Sequence, residues 1–268
     1  MELSSLWIWI THNPFKFISL IVLVFIIGWL AFASVLVSVS SKLIFHTQDS
    51  KSATIDIPYE QLWVTDGENR KIDMVWVDNP AAQQVVLYLH GNRGRLSHFF
   101  PTLSQEYKVL APAYPGYHGS EGSPTTENVY STALLAYDYL LEQGYQENQI
   151  IILGHSLGGS PAVYTAAQRP SASKLVLINT FSSIYSMCVP QWGIGCFFSK
   201  PILNSAAYAP FVFTKVREFH NVNDDVVPYS EGVELFANFT GTSDKIFVDL
   251  PPSTSHSDFD MLEILSVD

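Results

Sequence analysis

The stretch that most constrains this chain is residues 150–167, where an apolar strand meets a helix through a glycine-containing turn. Residues 150–153 are bulky and apolar and three of them are isoleucine, which is typical of a strand buried on both faces of a parallel sheet. The strand leads into Gly154-His155-Ser156-Leu157-Gly158, and a helix of small residues follows until Pro170. Strand, Gly-x-Ser-x-Gly and helix together form the pattern of a nucleophile elbow.

The spacing of this motif has a physical reason. A serine on so tight a turn leaves no room for a side chain two residues before or after it, so Gly154 and Gly158 occupy those positions. We expect the turn to raise the Ser156 hydroxyl above the sheet and to direct the first N–H groups of the helix toward it. These groups have no partner inside the helix and carry the positive end of its dipole, so they can stabilise an oxyanion beside the serine. A βα turn with an incidental serine is the alternative interpretation.

The N-terminal region predicts a membrane span. No charged residue occurs between Phe17 and Val39, and a helix of this length is about 35 Å long, slightly more than a hydrocarbon core of roughly 30 Å. A buried core helix would show a polar face, whereas this stretch contains only scattered serine and glycine. We therefore expect an N-terminal tail at residues 1–16 and a transmembrane anchor at residues 17–41.

A cleaved signal peptide is the alternative to a retained anchor. Residues 31–33, Ala-Phe-Ala, precede Ser34 and resemble a cleavage site. An uncleaved, single-pass anchor is favoured because the apolar character continues past that point and Lys16 is the only lysine or arginine before it. Lys16 on one side faces Lys42 and Lys51 on the other, so the side of the membrane that holds the rest of the chain is undetermined.

After the anchor, segments with strand character alternate with segments of helical spacing. The predicted strands are 54–57, 61–65, 71–77, 85–89, 109–111, 150–153, 175–178, 216–219 and 246–248, the second and third forming an antiparallel pair. The predicted helices lie at about 96–105, 124–143, 160–167 and 229–239, the second with Ser123 as N-cap and Pro124 as first residue. This alternation predicts a doubly wound α/β domain with its chemistry at the carboxyl ends of the strands.

Charge and cysteine content limit the partners. The chain has 25 Asp and Glu against 14 Lys and Arg, a net charge of −11, and no basic cluster, which argues against nucleic acid. Cys188 and Cys196 lack the spacing of a metal site. They either pair as a disulfide in an oxidising compartment or act as small apolar side chains in the cytosol. We predict no metal and no cofactor.

Four motifs carry a family resemblance, and they occur along the chain in the order that the family requires. They are His90-Gly91-Asn92, the elbow at 154–158, a segment from His220 to Pro228 that resembles His-Gly-x-x-Asp-x-x-Val-Pro, and Ser255-His256-Ser257-Asp258. Over residues 52–268 the chain resembles the α/β-hydrolase superfamily. Residues 114–122, Tyr-Pro-Gly-Tyr-x-Gly-Ser-x-Gly, make it similar to the membrane-anchored Bem46-like and ABHD13-like branch of serine hydrolases.

The resemblance implies a fold and a set of catalytic roles. The fold is the α/β-hydrolase fold, with a mostly parallel central sheet, helices on both faces and one preceding transmembrane helix. Ser156 is the implied nucleophile, His256 the base that takes its proton, and Asp224 the carboxylate that orients the imidazole. The backbone N–H groups of Leu157 and Asn92 are the implied oxyanion hole.

Three residues depart from the family pattern or leave it ambiguous. Asn221 stands where the family usually has glycine, and asparagine tolerates a positive φ better than other side chains do. Asp225 adjoins Asp224 and is the alternative acid, although the Val-Pro spacing favours Asp224. Arg93 replaces a small residue after the oxyanion loop, where it can narrow the site or attract a carboxylate or phosphate. His155, next to the serine, is expected to point away from it and to make structural hydrogen bonds.

These residues together predict a membrane-anchored serine hydrolase that cleaves carboxylic ester or thioester bonds of small-molecule or lipid-like acyl substrates, in the manner of carboxylesterases, lipases and thioesterases. An aromatic insertion at about 182–213 is expected to form a lid over the serine and to give an apolar acyl pocket. The alternatives are a peptidase or an acyltransferase that uses the same residues, or a non-catalytic binding module with a hydrolase-like fold.

Overall fold

A computed structural model describes residues 14–47, 55, 57–93, 99–192 and 203–268, with the side chains of 33–43 and 189–192 left out. The chain divides into two compact units between Leu43 and Ile44.

The first unit is built on one long helix. Helix α1 spans Pro14–Ile44, and within it Phe15–Phe32 is apolar enough and long enough to cross a membrane. The side chains of Phe15–Phe32 are mostly exposed, as expected of a helix that does not pack into a protein core. A helix of this kind near the N-terminus has the length and composition of either an anchor or a signal sequence.

The second unit contains an eight-stranded sheet in the order β1-β2-β4-β3-β5-β6-β7-β8. Strand β2 is antiparallel to both β1 and β4, and all other neighbours are parallel. The strands are β1 Glu60–Thr65, β2 Lys71–Val77, β3 Val85–Leu89, β4 Lys108–Pro112, β5 Ile150–His155, β6 Lys174–Ile178, β7 Val216–Asn221 and β8 Lys245–Leu250. The predicted mostly parallel sheet of the α/β-hydrolase fold is confirmed.

Helices follow the strands and flank the sheet. They are α2 Phe100–Leu103, α3 Thr126–Glu142, α4 Gly159–Gln168, α5 Ile184–Trp192, α6 Tyr229–Asn238 and α7 Met261–Ser266. Helix α3 begins two residues later than expected from Ser123 and Pro124, because Thr125 is the N-cap and its hydroxyl accepts a hydrogen bond from the Asn128 N–H.

The register of the central strands brings the functional loops to one edge of the sheet. Leu89 at the end of β3 is paired with Gly154 in β5, and His155 at the end of β5 is paired with Ile178 at the end of β6. Strands β3, β5 and β6 are completely buried, so this edge is held by the apolar core. The ends of β3, β5 and β6 therefore lie side by side, and the polar residues that follow each strand meet at one edge of the sheet.

The expected lid region is described in part. Helix α5 lies in it, and residues 193–202 are outside the described part of the chain. Tyr208 packs against the stacked rings of Tyr130 and Tyr164 on helices α3 and α4. Cys188 is disulfide-bonded, and the second cysteine of the chain, Cys196, falls outside the described residues.

Candidate active site

The glycines of the elbow are required by close packing. A Cβ on Gly158 would lie 1.9 Å from the carbonyl oxygen of Leu89, and a Cβ on Gly154 would lie 2.6 Å from the carbonyl oxygen of Gly158. Ser156 between them has a φ of 53°, a left-handed conformation that most side chains avoid. A one-turn 3₁₀ helix, Ser156–Gly158, then leads into α4. The strained turn places the serine at the sheet edge, as the motif predicts, where it lines a cavity and is otherwise buried.

A chain of hydrogen bonds joins Ser156, His256 and Asp224. The Ser156 Oγ lies 2.9 Å from His256 Nε2, and His256 Nδ1 lies 2.7 Å from Asp224 Oδ2. With its proton on Nδ1, the imidazole donates to the carboxylate and accepts from the serine hydroxyl. The structure thus brings together the three side chains that the sequence predicted, from the loops after β5, β7 and β8.

Asp224 is built to remain ionised. Its side chain is inaccessible to solvent, and its Oδ1 accepts hydrogen bonds from the N–H groups of Val226 and Val227 at 2.8 and 3.0 Å. Burial by itself raises the pKa of a carboxyl, but the hydrogen bonds and charge of His256 and the backbone donors outweigh it and lower the pKa of Asp224. Asp225, the alternative acid, lines the neighbouring cavity instead.

Asn221 does not adopt the positive φ that was expected at this position, where the family usually has glycine. It is the last residue of β7 and is absent from the positive-φ residues, so it keeps a strand backbone. Its side chain accepts from the Asn223 N–H at 2.8 Å and donates to the Thr254 carbonyl at 2.6 Å. Asn221 therefore ties the loop that carries Asp224 to the loop that carries His256.

Two side-chain donors hold the backbone of His256, a role that the sequence did not predict for either of them. The carbonyl oxygen of His256 accepts hydrogen bonds from His155 Nε2 at 2.9 Å and from Asn179 Nδ2 at 3.0 Å. His155 thus makes a structural hydrogen bond, as expected. Asn179 is fully buried, has a φ of 48°, and accepts from the Asn221 N–H at 2.8 Å. Its position directly after β6, at the carboxyl edge of the sheet, is the signal by which it could have been found.

His90 braces the loop after β3 as a neutral side chain. Its ring is fully buried, lies 4.1 Å from the Tyr114 ring between centroids, and its Nδ1 donates to the Gly91 carbonyl at 2.7 Å. Burial lowers the pKa of His90 from 6.5 to about 3, with the nearby His118 acting in the same direction and the hydrogen bond to Gly91 opposing it. The loop is therefore held without a positive charge.

The two predicted oxyanion residues lie in loops on either side of Ser156. Leu157 is in the 3₁₀ turn that starts α4. The loop holding Asn92 approaches the serine closely, since a Cβ on Gly91 would lie 3.3 Å from the Ser156 Cβ. The side chain of Asn92 is engaged elsewhere, by the hydroxyl of Tyr117 and by the chain at His46.

A cavity of about 500 Å³ opens at Ser156 and His256. Tyr88, Phe99 and Val226 supply apolar surface to it. Its polar lining comes from His46, Asn92, Arg93, His155, Asp225, Ser255 and Ser257. None of the described residues of the insertion at 182–213 lines this cavity, so the apolar lid stays a prediction.

Comparison with known proteins agrees with the motifs. A family model for the alpha/beta hydrolase fold matches residues 84–229. Protein bem46 of Schizosaccharomyces pombe is 26% identical over 228 residues, which cover 76% of this chain and 72% of that protein. A Saccharomyces cerevisiae protein named uncharacterized membrane protein YNL320W is 26% identical over 234 residues, covering 79% of this chain and 77% of that protein. The resemblance indicated by the motifs is confirmed.

A solved structure shows the same fold. The Pyrococcus furiosus esterase Pf2001 superposes with a TM-score of 0.61 at 17% identity, covering 78% of this chain and 86% of the esterase. At this level of identity the similarity establishes the fold and carries no information on substrate.

Proposed function

Because the chain belongs to the α/β-hydrolase family, we propose that it is a membrane-anchored serine hydrolase that cleaves carboxylic ester or thioester bonds of apolar acyl substrates. The observation that carries this proposal is the hydrogen-bonded series Ser156 Oγ, His256 Nε2, His256 Nδ1 and Asp224 Oδ2, with distances of 2.9 and 2.7 Å. A nucleophile, a base and a group that orients the base are the three parts that acyl transfer needs.

In the proposed reaction, Ser156 Oγ attacks the carbonyl carbon of the substrate while its proton moves to His256 Nε2. The tetrahedral intermediate collapses when His256 returns that proton to the leaving alcohol or thiol, which leaves an acyl group on Ser156. A water molecule then repeats the two steps, with His256 again as base and acid, and releases the carboxylic acid. Asp224, with its lowered pKa, stabilises the imidazolium that forms in each step.

The proposed oxyanion donors are the backbone N–H groups of Leu157 and Asn92. Both belong to loops that adjoin Ser156, and Leu157 lies at the start of the helical segment whose first N–H groups lack intrahelical partners. Loss of one donor of this kind typically costs about 3 kcal/mol of transition-state stabilisation.

The substrate class rests on the cavity and on helix α1. The apolar surface of Tyr88, Phe99 and Val226 next to the serine supports binding of an acyl chain. The apolar stretch Phe15–Phe32 supports membrane anchoring, which would keep the enzyme close to lipid-like esters. The lid proposed at 182–213 would add further apolar wall.

The test is hydrolysis of a series of 4-nitrophenyl esters and acyl thioesters, from two to sixteen carbons, by the full chain in detergent. We expect turnover that favours medium and long acyl chains and that falls to background in Ser156→Ala. Ser131→Ala, an exposed serine on α3, is the matched control and is expected to keep full activity. Turnover of amides alone would favour a peptidase, transfer to an added alcohol in place of water an acyltransferase, and no Ser156-dependent turnover a binding module.

A further inference from the structure

The side chain of Asn92 bonds to the segment Ile44–His46, which begins the second unit. Its Oδ1 accepts a hydrogen bond from the N–H of His46 at 2.9 Å, and its Nδ2 donates to the carbonyl of Ile44. The amide of Asn92 therefore bonds to two backbone groups on either side of Phe45, with its oxygen as the acceptor and its nitrogen as the donor.

The segment itself is part of the folded body and of the cavity wall. Ile44 ends α1 and begins the second compact unit. Phe45 is buried in the apolar core with 4% exposure, and His46 lines the cavity at Ser156. The predicted domain boundary at residue 52 leaves these residues out. Ile44–His46, the first residues of the second unit, thus belong to its folded core and to the wall of its cavity.

Tyr117 completes the contacts of Asn92. Its hydroxyl donates to Asn92 Oδ1 at 2.9 Å, and the residue is fully buried with its ring 5.1 Å from that of His90 between centroids. The Tyr-Pro-Gly-Tyr loop, which the proposed reaction does not use, is thereby joined to the loop after β3. Both lone pairs of Oδ1 and one N–H of Nδ2 are occupied, so the orientation of Asn92 is fixed from two sides.

We propose that Asn92 is a positioning residue. Its side chain, bonded to Tyr117 and to the segment Ile44–His46, fixes the position of the oxyanion loop. This inference rests on the proposed function, in which the backbone N–H of Asn92 stabilises the oxyanion. A side chain that bonds on both sides sets the direction of its own backbone N–H, and a displacement of about 1 Å in such a donor can reduce turnover a hundredfold. The segment Ile44–His46 is then a component of the active site.

The test measures kcat and KM for a four-carbon 4-nitrophenyl ester, with the full chain in detergent. Asn92→Ala keeps the backbone N–H and is expected to lower kcat about a hundredfold with KM changed less than threefold. Tyr117→Phe keeps the ring and is expected to lower kcat about fivefold. Tyr137→Phe removes a buried hydroxyl that has no hydrogen-bond partner among the described residues, and it is the matched control with unchanged kcat.

The double variant decides whether Tyr117 acts through Asn92. We expect Asn92→Ala with Tyr117→Phe to have the same kcat as Asn92→Ala alone, since the hydroxyl then has no acceptor to hold. If the two substitutions lower kcat by factors that multiply in the double variant, Tyr117 does not act through Asn92. If Asn92→Ala does not fold, Tyr117→Phe still tests the inference, because a kcat equal to that of the wild type contradicts it.

Hydrogen exchange tests the contact between Asn92 and the segment Ile44–His46 directly. The amide of His46 is expected to be protected in the wild type and to exchange at least tenfold faster in Asn92→Ala and faster in Tyr117→Phe. Equal exchange in all three would overturn the inference. A wild type that hydrolyses no ester but shows the exchange difference would remove the proposed function and leave the contact, so the two failures are distinguishable.

Discussion

Asp224 Oδ2 lies 2.7 Å from His256 Nδ1, although the two residues are 32 positions apart in the chain. The contact exists because the parallel register of β7 and β8 places the loops after both strands at the same edge of the sheet. It also selects between two adjacent acids, since Asp225 lines the cavity and makes no such contact.

Replacement of each acid separately tests this selection. Asp224→Asn is expected to lower kcat about 10⁴-fold, because an amide favours the wrong imidazole tautomer and cannot stabilise the imidazolium. Asp225→Asn removes the same charge one residue later and is expected to stay within about threefold of the wild type. Steady-state kinetics on one ester measures both. Equal losses, or a larger loss at Asp225, would show that the assignment of the acid is wrong.

His155 is predicted to act on turnover through the backbone of His256. In His155→Phe the ring keeps its edge contacts with Phe99 and Phe259, but the hydrogen bond to the His256 carbonyl is lost. Because one neutral hydrogen bond contributes about 1 kcal/mol, we expect kcat to fall about fivefold with little change in KM. A purely structural contribution would lower the urea midpoint and leave the kcat of the folded enzyme as it is in the wild type.

His90 is predicted to make the fold sensitive to acid. Its pKa is about 3 in the folded chain against 6.5 ordinarily, so between these values the unfolded chain binds a proton that the folded chain does not. Stability from this residue is complete above pH 6.5 and falls as the pH is lowered, by about 2 kcal/mol between pH 7 and pH 5. In urea unfolding at the two pH values, the free energy of unfolding of His90→Gln should decrease by about 2 kcal/mol less than that of the wild type. An identical loss in both proteins would contradict the prediction.

Gly158 is predicted to tolerate no side chain. A Cβ there would lie 1.9 Å from the Leu89 carbonyl oxygen, and the three nearest atoms all belong to the backbone of Leu89 and His90, which cannot move aside as a flexible side chain can. We expect Gly158→Ala to destabilise the fold by roughly 3 kcal/mol or more, at the upper end of overpacking effects. Gly67→Ala is the matched control, because a Cβ at Gly67 meets nothing within 4 Å, and its effect should stay below about 1 kcal/mol. Denaturant unfolding measures both changes in the free energy of unfolding. Equal changes in the two variants would show that close packing is not the cause.

The sequence predicted the features that depend on local pattern. The apolar run at 150–153 predicted a buried central strand, and the motif at 154–158 predicted a strained turn, which Ser156 shows with its φ of 53°. Residues with a role were found where they belong to a recognisable motif.

Local patterns of this kind could not predict contacts between segments that are distant in the sequence. Nothing local to Asn179 indicates that it bonds to the carbonyl of His256, 77 residues later. Nothing local to Asn92 indicates that it holds Ile44 and His46, because that pairing depends on where the folded chain returns. The start of α3 at Thr126 in place of Pro124 was set by a competing cap, Thr125, that has equally good chemistry.

The most direct test of the account is labelling of the full chain in detergent with a fluorophosphonate probe, followed by mass analysis of its peptides. We predict one adduct, on the peptide that contains Ser156, with labelling abolished in Ser156→Ala and slowed at least a hundredfold in His256→Ala. A wild-type chain that is folded but takes up no more probe than Ser156→Ala, or that carries the adduct on another residue, would contradict the proposed nucleophile and with it the proposed reaction.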